Sequence, residues 1–143
     1  MSKQAHTAPP CHCLAMRQAS RQVTQLYDQH FGPTGLRITQ YSVLRVIKRC
    51  ELVAMQRLAD EMVMDRTTLS RALRPLERDG LVNVAPGLDA RTRMLSLTQA
   101  GHDLLEELMP IWNRAQTEFE TRFGSAETQD LRGMLSRVVS QTA

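Results

Sequence analysis

The chain has 143 residues, enough for one domain with a real core and too few for two independent ones. Its 42% hydrophobic and 23% charged residues are the composition of a soluble globular protein, and only 4% aromatic residues argue against nucleic-acid binding by base stacking. A formal charge of +3 permits a polyanionic partner without requiring one. Sixteen of the eighteen basic residues are Arg, the side chain suited to bidentate contacts with phosphate and guanine. No apolar run is long enough to span a bilayer, and the first thirty residues lack the apolar core of a signal peptide. The expectation is therefore a cytoplasmic protein with no membrane partner. Three cysteines, Cys11, Cys13 and Cys50, are expected to rest as thiols there. Walker A, dinucleotide-binding and zinc-protease motifs are absent from the sequence, which names no catalytic residues, no metal ligands and no cofactor.

Residues 1–10 end in Pro9-Pro10 with no periodic apolar pattern and are expected to form a flexible tail. From Cys11 to about Phe31 the pattern is helical, with Ala15, Ala19, Val23, Leu26, Tyr27 and His30 on one side. Gly32-Pro33-Thr34-Gly35 breaks it. Thr39 is placed to cap a second helix, where Tyr41, Leu44 and Ile47 make a stripe that Val43 and Val46 widen, ending near Cys50, a small core residue. A short third helix runs from Ala54 to Met62 with Leu58, Ala59 and Met62 inward. Only two or three residues then separate it from the next, a spacing that suits a helix-turn-helix, although the turn has Val63 where many place Gly.

The fourth helix carries the strongest signal. Asp65 is placed to cap it and Gly80 to stop it, and Leu69, Leu73 and Leu76 mark its buried side. Arg66, Thr67, Thr68, Ser70, Arg71, Arg74 and Arg78 occupy the remaining faces. An ordinary solvated face mixes Glu and Lys, whereas this one is Arg, Ser and Thr until Glu77, so its N-terminal half is expected to touch nucleic acid.

After Gly80 the period becomes two. Residues 81–85 and 93–97 read as strands around the turn 86–90, a hairpin whose returning strand is cationic at its tip (Arg91, Arg93) and apolar at its base (Leu95, Leu97). Thr98 caps a long helix bearing Leu104, Leu105, Leu108, Ile111, Ala115, Phe119 and Phe123, with Met109 and Trp112 read as core. Roughly 25 residues at about 1.5 Å each make a rod of nearly 40 Å, with a kink expected at Pro110. Gly124-Ser125 breaks it, Ser125 caps the last helix, and Leu131, Met134, Leu135, Val138 and Val139 line one side of that helix. The compact unit offers too little surface to cover such a rod, so a second copy of the chain is expected to bury the excess about a two-fold axis.

The helix order, Met64-Asp65-Arg66-Thr67-Thr68-Leu69-Ser70-Arg71, the exit Leu76-Glu77-Arg78-Asp79-Gly80-Leu81-Val82, the wing end Asp89-Ala90-Arg91 and Leu95-Ser96-Leu97-Thr98 resemble the MarR family of winged helix-turn-helix regulators over about residues 11–141. The resemblance implies a mainly α fold with a small β-hairpin wing. It further implies N- and C-terminal dimerisation helices (11–36 and 99–143) around a DNA-binding unit (37–98), all in one domain over 11–143. It also implies a homodimer, acting as a repressor, that binds double-stranded DNA at a pseudo-palindromic operator. The second helix of the pair would enter the major groove, presenting Thr67, Thr68, Ser70, Arg71 and Arg74. The wing Arg91, oriented by Asp89, would enter the minor groove.

Release of the DNA is expected through oxidation or a small-molecule effector. Cys11-His12-Cys13 opens the first helix, and Cys13 stands fourteen residues before Tyr27, a spacing similar to that in the family's organic-hydroperoxide sensors. Two further tyrosines of those sensors are matched here by Arg17 and Ile38. Cys11 and Cys13 point to opposite sides of a helix, so bonding them would unwind the turn. A metal site at Cys11, His12 and Cys13 lacks a fourth ligand at suitable spacing. Competing functions are a thiol-based redox enzyme using Cys13, for which His12 points about 100° away, and a non-specific architectural DNA binder.

Overall fold

The computed structural model describes residues 9–143, so the expected tail over 1–10 lies outside the described residues except for the exposed Pro9 and Pro10. Helix α1 (His12–Phe31) starts from Cys11, whose Sγ accepts from the Leu14 N–H at 3.4 Å. A 3₁₀ turn (Gly32–Thr34) and Gly35, at φ +76°, reverse the chain into α2 (Ile38–Cys50). Thr39 is not its cap. The cap position is Arg37, two residues earlier, where Gln40 Oε1 accepts from the Arg37 N–H at 3.0 Å and Asp28 of α1 accepts from the Ile38 N–H at 2.8 Å. The orphan donors of the first turn are thus met by side chains from either side of Thr39, which is left exposed.

A strand that periodicity does not reveal follows: β1 (Val53–Ala54), placed by a tight reversal at Glu51 (φ 64°) where the Leu52 N–H reaches the Cys50 carbonyl at 2.7 Å. Helix α3 (Met55–Met62) then turns into α4 (Arg66–Arg78) through Val63, which has φ 52° and ψ 47°. Its N–H and that of Met64 bond back to the last turn of α3, which holds a β-branched residue in the conformation that glycine adopts freely. Val63 is 70% exposed, so side-chain packing contributes little to keeping it there. Replacing it with Gly removes a left-handed penalty of about 1–2 kcal/mol against about 0.4–1 kcal/mol of added unfolded-chain entropy. Denaturant unfolding of Val63→Gly is therefore expected to show a gain of roughly 0.5–1 kcal/mol, and a loss would contradict the strain.

Strands β2 (Val82–Pro86) and β3 (Arg93–Leu97) form the wing. The sheet order is β1-β3-β2, all antiparallel, with Leu95 opposite both Val53 and Val84. The observed wing begins and ends β2 one residue later than expected, because Leu81 is occupied in the turn: its N–H donates to the Leu76 carbonyl of α4 at 2.9 Å. Helix α5 (Gln99–Phe123) is continuous through Pro110, and α6 (Ser125–Gln141) folds back on it. Ser125 is the first residue of α6 and not its cap. Gly124, at φ +110°, occupies that position, and its carbonyl accepts from the Thr128 N–H at 2.9 Å.

The core joins α2, α3, α4, the sheet and the first half of α5 through Tyr41, Leu44, Ile47, Leu58, Leu69 and Leu95. One expectation of burial fails: Met109, one residue round the helix from Leu108, is exposed, whereas Trp112 is half-buried and packs against the core. The first half of α1 and much of α6 bring their apolar stripes to the surface, with Leu14, Met16, Leu135 and Val139 exposed within one chain.

Candidate nucleic-acid interface

The local chemistry of α4 fixes how its outward face is presented. Asp65 caps the helix, accepting from the Thr68 N–H at 2.7 Å and from the Thr68 hydroxyl at 2.8 Å. These two bonds, the backbone one foremost, hold the Asp65 carboxyl below its ordinary pKa. A depressed folded pKa means that the cap's contribution is complete above the unfolded carboxylate's pKa and is lost as pH falls through the folded one. Native protein and Asp65→Ala are therefore expected to converge in unfolding midpoint as the solution is acidified through that range. A gap independent of pH would assign the difference to something other than the charged cap.

On the buried side, Leu69, Leu73 and Leu76 lock α4 into the core as their spacing predicted. On the other faces Arg66, Thr67, Thr68, Arg71, Arg74 and Arg78 are exposed and Ser70 is half-buried. Among the described residues, Arg78 reaches Asp79 at 3.3 Å, whereas no carboxylate pairs with Arg66, Arg71 or Arg74. Arg71 and Arg74 lie one turn apart, close enough to address a base edge and a phosphate from the same groove. The Thr68 hydroxyl proton is directed to Asp65 in this structure, which leaves Thr67 and the guanidiniums as the free outward donors of the first turn.

At the wing, the Asp89 carboxylate accepts from the Arg91 backbone N–H at 3.1 Å, and its carbonyl accepts from the Thr92 N–H at 2.9 Å. Asp89 thus fixes the backbone that carries Arg91 and leaves the guanidinium unpaired. Arg91 and Arg93 are both exposed. Helix α4 and the wing tip therefore present two separate groups of unpaired guanidiniums around a shared core. A gap between them the width of a phosphate backbone would suit a helix in one groove and a hairpin in the next.

The cysteines and Tyr27 are not brought together within one chain. Cys11 and Cys13 are exposed at the start of α1, and Tyr27 lies four turns on, roughly 21 Å along the axis. Tyr27 is half-buried, and its hydroxyl donates to Gln116 of α5. Burial, with Glu120 adding to it, raises the phenol's pKa, so the ring stays a neutral donor. Beside it, a cavity of about 470 Å³ opens between α1, α2, α5 and α6, lined by Ser42, Arg45, Trp112, Gln116 and Arg132. The Arg45 guanidinium stands 4.0 Å above the Trp112 ring. Apart from Trp112, read as core, these residues went unremarked in the sequence because they come from three helices and share no spacing. A larger groove of about 740 Å³, lined by Ala19, Val23, Phe119, Leu131, Leu135 and Val138 among others, runs between α1 and α6.

The sequence profile of the MarR family matches residues 36–89, the stretch from α2 to the wing tip. Transcriptional regulator HosA of Escherichia coli O127:H6 is 32% identical over 136 residues, covering 90% of this chain and 100% of HosA. The chain belongs to the MarR family. A second relative, the HTH-type transcriptional regulator SarZ of Staphylococcus epidermidis, is 27% identical over 130 residues, covering 90% of this chain and 86% of SarZ. Among solved structures, the transcriptional regulator MosR of M. tuberculosis in complex with DNA superposes with a TM-score of 0.83 at 35% identity, covering 93% of this chain and 96% of MosR. As a MarR-family chain the protein is a DNA-binding transcription regulator, with α3 and α4 as its helix-turn-helix and β2 and β3 as its wing. No helix among the described residues is long and apolar enough to cross a membrane.

Proposed function

We propose that the protein is a homodimeric repressor acting in the cytoplasm, which lays α4 of each copy in successive major grooves of a pseudo-palindromic operator. The observation that carries this reading is the unpaired guanidinium face of α4, Arg66, Arg71 and Arg74, held in place by the Asp65 cap and the leucine stripe behind it. Arg91, with its backbone held by Asp89, serves the minor groove, where a narrow A·T-rich stretch attracts a guanidinium. Residues 11–36 and 99–143 supply the dimer contacts, because α1 and α6 leave Leu14, Met16, Leu135 and Val139 exposed in a single chain. Two half-sites read by linked subunits are occupied far more tightly than either alone.

Release acts through the helices that set the distance between the two copies of α4. The cavity beside Tyr27 touches α2 of the reading unit and α1, α5 and α6 of the dimer unit, so a small effector held by Arg45, Arg132 and the Tyr27 hydroxyl would alter that distance. Oxidation is the other route. A Cys11–Cys13 disulfide, formed as a hydroperoxide is reduced to alcohol and water, would cost the Cys11 cap on Leu14 and unwind the start of α1.

Leu135→Glu tests the assembly, since it places a charge in the apolar groove without touching the core of the winged unit. Sedimentation is expected to show a monomer, and operator affinity to fall about a hundredfold or more. A dimer with unchanged affinity would remove α6 from the interface.

A further inference from the structure

The tip of the wing is an internally bonded turn. The Gly87 N–H donates to the Thr92 carbonyl at 2.7 Å, the Thr92 N–H to the Asp89 carbonyl at 2.9 Å, and the Arg91 N–H to the Asp89 carboxylate at 3.1 Å. The closure is tight, because a Cβ on Gly87 would lie 3.2 Å from Thr92 Cβ. On this held turn sits Leu88, at 113% relative exposure the most open large hydrophobic residue described. The exposed apolar residues of α1 and α6 belong to faces that a second subunit covers. Leu88 does not: it stands on the far end of a hairpin, three residues before Arg91 and five before Arg93, both exposed. An apolar side chain presented by a hydrogen-bonded turn beside two cations is arranged for a surface that is polyanionic outside and apolar within.

We propose that Leu88 is an apolar minor-groove contact, inserted beside Arg91 against the deoxyribose walls and base edges of the operator. The inference rests on the wing's occupying the minor groove. That groove is about 6 Å wide, with only acceptors on its A·T floor, so it accepts a cation at its floor and a hydrocarbon against its sugar walls. Arg91 draws the tip in by charge. Leu88 then wedges the groove open, which unstacks most easily at pyrimidine–purine steps. Sequence preference arises from deformability at a position where no hydrogen bond reads a base, and the DNA bends away from the wing.

The test uses the full chain and the duplex that native protein enriches from random DNA, labelled at both ends for energy transfer. Affinity is measured across a potassium chloride series. Leu88→Ser is expected to bind roughly tenfold more weakly, as loss of one buried isobutyl group requires, with an unchanged salt slope and a straighter duplex. Arg91→Ala is expected to weaken binding with a shallower salt slope. Thermal unfolding of Leu88→Ser should match native protein, since Leu88 touches no core. Native affinity in Leu88→Ser, or weaker binding to a duplex bent as before, overturns the wedge. If Arg91→Ala is equally silent, the wing reading falls with it, whereas a weakened Arg91→Ala beside a silent Leu88→Ser removes the wedge alone.

Discussion

Replacing Arg91 with alanine is expected to weaken operator binding by about 1–3 kcal/mol and to lower the salt slope by about one ion. The size follows from what the side chain is and what holds it. Its guanidinium is exposed and unpaired, so no interaction within the protein has to be broken before it meets DNA. The ordering cost is also reduced in advance, because the Asp89 carboxylate already holds the Arg91 backbone at 3.1 Å. Electrophoretic mobility shifts across a salt series measure both quantities at once. Since Arg91 is fully outside the core, stability should be unaffected, and unchanged binding would mean that the hairpin does not reach the groove. Arg91→Lys should recover the charge term and leave the fork geometry unmet.

The second large effect belongs to a residue that touches no DNA. Gly101, in the first turn of α5, is expected to tolerate no side chain: Gly101→Ala should cost about 1–3 kcal/mol, the range for overpacking a closed site. A Cβ there would drive into the Leu81 carbonyl oxygen, with Leu81 C 3.2 Å and Leu97 Cβ 3.4 Å away. The neighbourhood cannot move aside cheaply, because it is a knot of backbone bonds. The Thr98 hydroxyl donates to the Gly80 carbonyl at 2.6 Å, the Thr98 N–H to the Leu81 carbonyl at 3.1 Å, and the Gly101 N–H to the Thr98 hydroxyl at 3.0 Å. This knot ties the exit of α4 and the root of the wing to the start of the long helix. Relieving the clash must therefore shift the DNA-reading elements against α5, and operator affinity should fall along with the unfolding midpoint. Gly133 is the matched control. A Cβ on it meets nothing within 4 Å, so Gly133→Ala in α6 should gain up to about 1 kcal/mol from helix propensity. Equal behaviour of the two variants would show that the close approach at Gly101 carries no energy.

Signals that act over one helical turn were legible in the sequence. Asp65, the stripe of Leu69, Leu73 and Leu76, and the stop at Gly80 each depend on residues three or four apart, and the structure places all of them as read. The alternation of 93–97 likewise put Leu95 and Leu97 inward. What depended on distant partners was not legible. Thr39 had the right chemistry for a cap, but Asp28, on the preceding helix, accepts from the Ile38 N–H and starts the helix ahead of it. A strand of two residues has no period to detect, and β1 exists only because β3 lies beside it. Of the residues around the cavity, the sequence marks Tyr27 and Trp112, whereas Arg45 and Arg132 come from two other helices and share no spacing with them. Cys13 and Tyr27 lie fourteen residues apart on α1, roughly 21 Å along its axis, so any site they share needs the second copy of the chain.

Selection of bound duplexes from random DNA by the full chain, with its thiols reduced and oxidised in parallel, measures directly whether one α4 from each of two copies reads a pair of matched half-sites. The reduced protein should enrich a pseudo-palindrome whose half-site centres lie about one helical turn, roughly 10 base pairs, apart, and oxidation at Cys11 and Cys13 should diminish that enrichment. Equal enrichment in both states would leave release to the cavity beside Tyr27. Recovery of unrelated sequences by the reduced protein would contradict paired reading by the two copies of α4.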